Sequence, residues 1–361
     1  MTPRPPQDDE SQIRFRPKPR GSRPRTKDRP VHANAVPAQV VTVDRGRYGC
    51  RLGGFEAAEP ALVVVAMKAR ELGKAAVLVG DRVGLVGDVS GRSGSLARIV
   101  RVEPRSSMLR RSADDTDPVE RGIVANADQL AVVTALADPE PRARMVDRCL
   151  VAAYDAGLDP LLVLTKADLK DPAEFTSGYA ALEVPWLVTK RDGAGSGPVG
   201  SSGPPIVGLD EVRQHLLNRV TVFIGHSGVG KSTLVNALVP GADRAIGRVN
   251  DVTGRGRHTS TSAVALRLPD GGWVVDTPGV RSFGLAHVDP DRLLAAFPEL
   301  AGGTDDCPRG CSHDEPECGL DAWVANGNAG SSGAARLESF RRLLRARSST
   351  APGADRSLQQ E

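Results

Sequence analysis

Aromatic residues are scarce in this chain of 361 residues: three Trp, three Tyr and seven Phe, 4% of the whole. Little side-chain surface is therefore available to stack on nucleobases. Cysteine is also rare, with five in all. No apolar run reaches the roughly 18 residues of a membrane-spanning helix. The N-terminus is charged and has no apolar stretch after it, so it does not read as a secretory signal. These absences exclude a helical membrane protein and a disulfide framework. They lead to the expectation of a cytoplasmic protein, without membrane contact, whose cysteines are thiols or metal ligands.

The length allows two or three domains, each with its own core. Net charge is only +3 but is unevenly placed. Residues 1–30 hold nine Arg/Lys, four Asp/Glu and seven Pro, a net +5 with almost no apolar residues. Such a stretch cannot bury enough surface to offset its ordering entropy, so a disordered basic arm is expected over 1–35. Two readings of the arm stay open: a solvated tail, or a segment that seeks a polyanion such as RNA by releasing counterions. Near the other end, residues 334–347 read as a basic amphipathic helix, followed by a disordered tail over 349–361.

Between these ends the pattern changes twice. Residues 38–105 carry short β-patterned runs at Ala38–Val43, Tyr48–Leu52, Ala61–Met67, Val77–Val86 and Leu96–Val102. So many strands in so short a stretch suit a small closed barrel of the OB type. Such barrels serve as scaffolds as often as they bind oligonucleotides, and only Tyr48 and Phe55 are available here for base stacking. From Ile123 onward strand and helix alternate. Strands are expected at Gln129–Ala135, Leu161–Leu164, Pro185–Val188 and Val220–Ile224, and helices at Arg142–Ala156, Ala173–Leu182 and Leu209–Leu217. Ala263–Leu268 and Trp273–Val275 pair across the Pro269–Gly272 turn. This alternation predicts a doubly wound sheet with ligands at the carboxyl ends of its strands.

The motifs sit at those ends. Gly225-His226-Ser227-Gly228-Val229-Gly230-Lys231-Ser232 follows a strand and opens a helix, Ser232–Leu238. Its glycines let backbone N–H groups curl around phosphates, Lys231 reaches the β- and γ-phosphate oxygens, and Ser232 ligates Mg²⁺. Asp276-Thr277-Pro278-Gly279 ends a later strand, where Asp276 holds the Mg²⁺ water shell and the Gly279 N–H senses the γ-phosphate. Thr165-Lys166-Ala167-Asp168 ends the strand Leu161–Leu164. The Asp168 carboxylate can accept from both the N1–H and the exocyclic amine of guanine, a pair adenine does not offer, while Lys166 packs over the base. Thr189 and Lys190, at the next strand end, are candidates for a loop behind the base.

A switch loop at Gly256–Thr261 supplies a Thr hydroxyl to Mg²⁺, with Thr259 preferred over Thr261. Val280 stands where Ras-like enzymes carry the Gln that orients water. His258 is the nearest polar candidate for that task, and a solvent or partner contact remains its alternative. Finally, Cys307-x3-Cys311-x-His313-x4-Cys318 matches a closed Cys₃His zinc site, structural because no coordination position is left open. Cys50 and Cys149 have no such neighbours and read as packed thiols.

The guanine motif precedes the phosphate loop, the reverse of an ordinary small GTPase, so the domain is read as circularly permuted. With the barrel and the zinc cluster, this order resembles the ribosome small-subunit-dependent GTPase A family from about residue 36 to 345. The resemblance implies an OB-fold (36–110), a circularly permuted P-loop GTPase domain (111–285) and a helical zinc-binding domain (286–348). It implies a monomer that hydrolyses GTP to GDP, stimulated by the 30S subunit during late maturation, and that binds 16S rRNA. By position, Thr165, Lys166, Ala167 and Asp168 take the base, Gly225–Thr233 (Thr233 included) and Gly279 take the phosphates, and Ser232, Thr259 and Asp276 take Mg²⁺. Lys231 and His258 carry the catalysis, and Cys307, Cys311, His313 and Cys318 hold one Zn²⁺. The departures are Thr165 in place of Asn and a cluster whose two outer gaps are each one residue shorter than usual.

Two other classes fit parts of the pattern: a nucleotide-gated RNA-binding module with incidental hydrolysis, and a P-loop ATPase or kinase, against which Asp168 argues. The permuted order also runs the segment after Gly279 straight into the zinc region, suggesting that a shift of the γ-phosphate loop is passed there directly. If Asp168 reads guanine, Asp168→Asn should move nucleotide preference toward xanthine nucleotides in a binding titration; unchanged preference would remove the basis for guanine.

Overall fold

The structure is a computed structural model that describes residues 32–73, 76–112, 120–192, 205–242, 263–277, 285 and 288–348. The arm up to residue 31, the tail from residue 349, and His258, Thr259, Thr261, Gly279 and Val280 lie outside the described residues.

Alternation builds the barrel. In β1 (Val36–Asp44), β2 (Arg47–Leu52), β3 (Val63–Lys68), β4 (Arg82–Gly87) and β5 (Ala97–Val102), every second residue points inward. The inward set includes Val40, Cys50, Val64, Ala66, Leu85 and Ile99, all fully buried in one core. The strands run β1-β2-β3-β5-β4 and close where β4 pairs with β1. The apolar run 77–86 becomes strand only from Arg82. Before it, the buried Asp81 carboxylate accepts from Leu78 N (2.7 Å) and from Arg105 Nε (2.7 Å) and Nη2 (2.9 Å), which favours a turn over a ladder. A hairpin not foreseen from the sequence, β6 (Met108–Ser112) with β7 (Glu120–Ala125), leads out of the barrel. Its arginines obscure the alternation.

The next layer is a sheet ordered β10-β9-β8-β13-β15-β14, from β8 (Gln129–Ala135), β9 (Asp159–Thr165), β10 (Trp186–Val188), β13 (Val220–Gly225), β14 (Val264–Arg267) and β15 (Trp273–Asp276). All neighbours are parallel except β14 with β15. Two short strands, β11 (Lys190–Arg191) and β12 (Ile206–Val207), form a separate pair. One face is covered by α3 (Leu209–Leu216) and α4 (Lys231–Leu238) around Phe223, Leu234 and Leu238. The other is covered by α1 (Ala143–Ala156), and its core continues into α5 (Pro290–Leu294), α6 (Pro298–Ala301), α7 (Gly319–Ala325) and α8 (Gly333–Ser348) through Leu293, Phe297, Leu320 and Phe340. The helix expected over 173–182 is a shorter α2 (Ala173–Ser177) followed by a 3₁₀ turn, Ala180–Leu182. The Gly178 carbonyl between them is taken by Arg342 of α8 (2.7 Å).

One expectation is corrected here. Tyr48 and Phe55 are 8% and 9% exposed, so neither is free to stack on a base. Phe55 stacks instead on Trp273 of β15, ring centroids 4.2 Å apart, and its carbonyl accepts from Trp273 Nε1 (3.2 Å). Arg51, its side chain 3% exposed, donates to Ala57 O (2.7 Å) and pairs with Glu59, which also meets Arg267 of β14 at 2.9 Å. The scarce aromatics thus join the barrel to the parallel sheet. The basic helix expected over 334–347 is α8, and its Arg336, Arg341, Arg342 and Arg347 all make hydrogen bonds within the protein. Phe55→Ala should cost ~3 kcal/mol of stability, read as a lower denaturant midpoint with an unchanged slope; a shift below about 1 kcal/mol would show that the stack is dispensable.

Candidate nucleotide and metal sites

Strand register brings the sequence motifs together. Ala135 of β8 is opposite Thr165, Val133 is opposite Gly225, and Phe223 of β13 is opposite Asp276. The base motif, the phosphate loop and Asp276 therefore leave the sheet along one carboxyl edge, although 111 residues of chain separate Thr165 from Asp276.

Local chemistry shapes the phosphate loop. A Cβ on Gly225 would lie 2.5 Å from Val133 O, and Gly228 and Gly230 have φ of +81° and +89°, left-handed backbone that favours glycine. The loop then turns into α4, whose first-turn N–H groups and dipole favour an anion. Lys231 Nζ pairs with the Asp276 carboxylate, their side chains 12% and 16% exposed. A cation and a carboxylate otherwise short of water thus satisfy one another. Thr277 Oγ1 donates to Phe223 O (2.8 Å) and ties the end of β15 to the strand that carries the loop. Thr277 was not singled out in the sequence, although it lies inside the Asp-x-x-Gly motif.

Thr165 shows what its departure from Asn does. It is buried, and its hydroxyl donates to Val229 O at 2.6 Å, within the phosphate loop. The hydroxyl braces the loop directly. Lys166, with φ of +57°, donates from Nζ to the Asp138 carbonyl. Asp168 Oδ1 accepts from Arg191 N at 3.2 Å. Around them lies a cavity of about 260 Å³, lined by Asp138, Thr165, Lys166, Asp168, Leu169, Thr189, Lys190, Arg191, Ile206, Gly230, Thr233 and Leu234. Leu169, Ile206 and Leu234 supply apolar contact, and the Asp168 carboxylate can accept from a planar base that carries paired donors. Buried Thr189 supports the floor, its N–H donating to Leu164 O (2.7 Å) and its carbonyl accepting from Ala167 N (3.3 Å). Asp138, Arg191 and Ile206 were not anticipated, since only the tertiary fold carries them to the cavity.

The second site lies between α6 and α7. Ligand atoms of Cys307, Cys311, His313 and Cys318 all lie within 4.8 Å of one another. Cys307 Sγ is 3.8 Å from Cys318 Sγ, and His313 Nδ1 is 3.6 and 3.8 Å from those two sulfurs. Tetrahedral coordination at about 2.3 Å from each sulfur requires sulfurs about 3.8 Å apart, so the group fits one closed, four-coordinate metal ion. The other ring nitrogen, His313 Nε2, is 3.7 Å from the Asp291 carboxylate, an arrangement that turns Nδ1 toward the cluster. Burial pushes the Cys311 and Cys318 thiols up, so taking a metal means giving up protons. Cys50 and Cys149 are buried apart from the cluster, their thiols pushed up to about 12 by desolvation, and are packing residues.

Residues 102–286 match the family described as RsgA GTPase. The small ribosomal subunit biogenesis GTPase RsgA of Ectopseudomonas mendocina (strain ymp) is 40% identical over 248 residues, 68% of this chain and 69% of that protein. This chain belongs to the RsgA GTPase family. The RsgA of Pseudomonas aeruginosa (strain LESB58) is 38% identical over 273 residues, 74% of this chain and 75% of that protein. YjeQ from Thermotoga maritima superposes with a TM-score of 0.58 at 25% identity, over 86% of this chain and 98% of that one. YloQ, a circularly permuted GTPase, has a TM-score of 0.57 at 18% identity, over 90% and 99%, a likeness of fold. As an RsgA-family chain it is a GTP hydrolase with an OB-like barrel, a permuted GTPase sheet and a Cys₃His group that can hold one metal ion.

Removing the Thr165 brace tests this geometry. Thr165→Val, which keeps the shape and loses the hydroxyl, should weaken GDP binding by about 1 kcal/mol, roughly fivefold, while Thr165→Ser stays near wild type. Equal affinities for all three in a fluorescent-GDP titration would show that the Val229 bond does not hold the loop.

Proposed function

We propose that this chain hydrolyses GTP while bound to the small ribosomal subunit late in its assembly, and that the shared carboxyl edge of β9, β13 and β15 is its catalytic face. The arrangement of Thr165, Gly225 and Asp276 at the carboxyl ends of β9, β13 and β15, with β8 between the first two, carries this reading. Asp168 selects guanine, with Lys166 over the base and Ala167 in its loop. Gly225 through Thr233 wrap the phosphates, and Gly279 senses the last of them.

Binding of the phosphates draws Lys231 away from Asp276, exchanging one anionic partner for another. Ser232 and Asp276 then offer hard oxygen donors suited to magnesium, completed by Thr259. Bound there, magnesium supplies charge neutralisation at the β- and γ-phosphates. Lys231 and the backbone donors stabilise the charge that grows as water attacks in line. His258 is the group we assign to the water, since Val280 has no side chain able to orient it.

The Cys₃His group takes zinc, which three thiols and one imidazole gathered within 4.8 Å of one another favour. The barrel meets 16S rRNA through its exposed Arg45, Arg47, Arg70, Arg92 and Arg98 by phosphate contact rather than stacking, because its aromatics are buried. No described helix is long and apolar enough to cross a membrane, and the proposed site of action is the cytoplasm, as a monomer. The linker at 280–284 lies outside the described residues, but Leu285 beyond it is fully buried in the core shared with α8. Turnover measured with 30S subunits, with 50S subunits and with none should be slow alone and rise only with 30S. Equal rates in all three would overturn the assignment.

A further inference from the structure

Helix α8 grips two loops at once. Toward the metal, Arg341 donates to His313 O (3.0 Å) and to both oxygens of Asp321 (2.8 and 2.6 Å), while Arg345 meets both oxygens of Asp314 (3.1 and 2.8 Å). Toward the sheet, Arg342 donates to Gly178 O (2.7 Å), lies over the Tyr179 ring at 4.9 Å and faces the Asp147 carboxylate at 3.3 Å. Arg336, 8% exposed, donates to Ala181 O (3.0 Å) and pairs with Glu299. Burial holds the Asp147 carboxyl above the usual range against the opposing pull of Arg342, whose own side chain is 34% exposed.

The stretch Gly178–Leu182 is the far end of the segment that begins at the base motif. That segment is bonded turn by turn: Leu169 N to Lys166 O (2.9 Å), Ala173 N to Asp171 Oδ1 (2.7 Å), Thr176 N to Pro172 O (2.9 Å) and Tyr179 N to Thr176 O (2.9 Å). Lys170 crosses it to Glu174 at 3.2 Å. A displacement at Gly178 therefore has little slack to absorb it before Asp168.

We propose that Arg342, seconded by Arg336, is a positioning residue for guanine recognition, and that through α8 the state of the metal loop sets how well Asp168 meets the base edge. The proposal rests on the reading of Asp168 as the guanine acceptor. A contiguous chain of contacts does not by itself transmit energy, so the test must measure coupling.

The measurement is affinity of the full-length protein for fluorescent GDP and for its inosine counterpart, which lacks the exocyclic amine. Their ratio reports the Asp168 contact and is insensitive to a loss of folded protein, which lowers both signals alike. Arg342→Ala is expected to cut the ratio about tenfold, the size of one charge-assisted bond to a base edge. Inosine-nucleotide affinity, which keeps the phosphate loop and only the N1–H half of the Asp168 contact, should fall less than GDP affinity. Arg342→Lys, which keeps a cation against Asp147, should retain most of the ratio. Removing the metal from wild type with a chelator should lower the ratio in the same way and add nothing in Arg342→Ala.

An unchanged ratio in folded Arg342→Ala overturns the proposal, and so does a metal effect equal in variant and wild type. If Arg342→Ala does not fold, chelated wild type and Arg345→Ala decide, and an unchanged ratio in both is fatal. Wild type that shows no preference for GDP over the inosine nucleotide would instead remove the guanine reading itself.

Discussion

The parallel register of β8, β9, β13 and β15 is the constraint on which this protein depends. Backbone bonds pair Ala135 with Thr165, Val133 with Gly225 and Phe223 with Asp276. A slip of one residue in any of these pairs would turn each side chain to the opposite face. The buried Val, Leu and Phe residues on both faces make such a slip costly, so the core indirectly fixes the distance between base motif and phosphate loop. The Thr165 hydroxyl on Val229 O and the Thr277 hydroxyl on Phe223 O then tie the loop ends to that frame.

Permutation leaves this spatial order intact and changes what the frame is joined to. The barrel feeds the sheet from one side, closed against β14 and β15 by the Phe55–Trp273 stack and by Glu59 between Arg51 and Arg267. On the other side the chain after β15 passes into the metal-binding helices. The core of those helices is continuous with that of α1. Arginines serve these joints: α8 carries five, and all of them hold carbonyls or carboxylates of neighbouring segments. The basic character of α8 is internal fastening.

How much was legible in the sequence differs from element to element. The phosphate loop, Asp276, the base motif and the Cys₃His cluster were readable because their chemistry demands particular residue types at short, rigid spacings. The barrel strands were readable through alternation, except at Val77–Asp81, where a buried carboxylate captures an amide and bends the chain. The β6–β7 hairpin was not readable, since Arg110, Arg111 and Arg121 mask its period. Nor was the fate of Tyr48 and Phe55, because an aromatic side chain looks the same in sequence whether it awaits a base or packs on Trp273.

The sequence by itself determined the chemistry: which residues can cradle phosphate, accept from guanine or bind a metal, and in what chain order they come. Tertiary structure decided which residues share the work. Asp138, Arg191 and Ile206 line the base cavity, Thr165 braces the loop, and α8 clamps both the metal loop and the end of the base segment. The physical reason is range. Motif chemistry is local and survives as a pattern of neighbours, whereas burial, charge pairing and strand register join residues far apart in the chain, at distances that only the folded backbone sets.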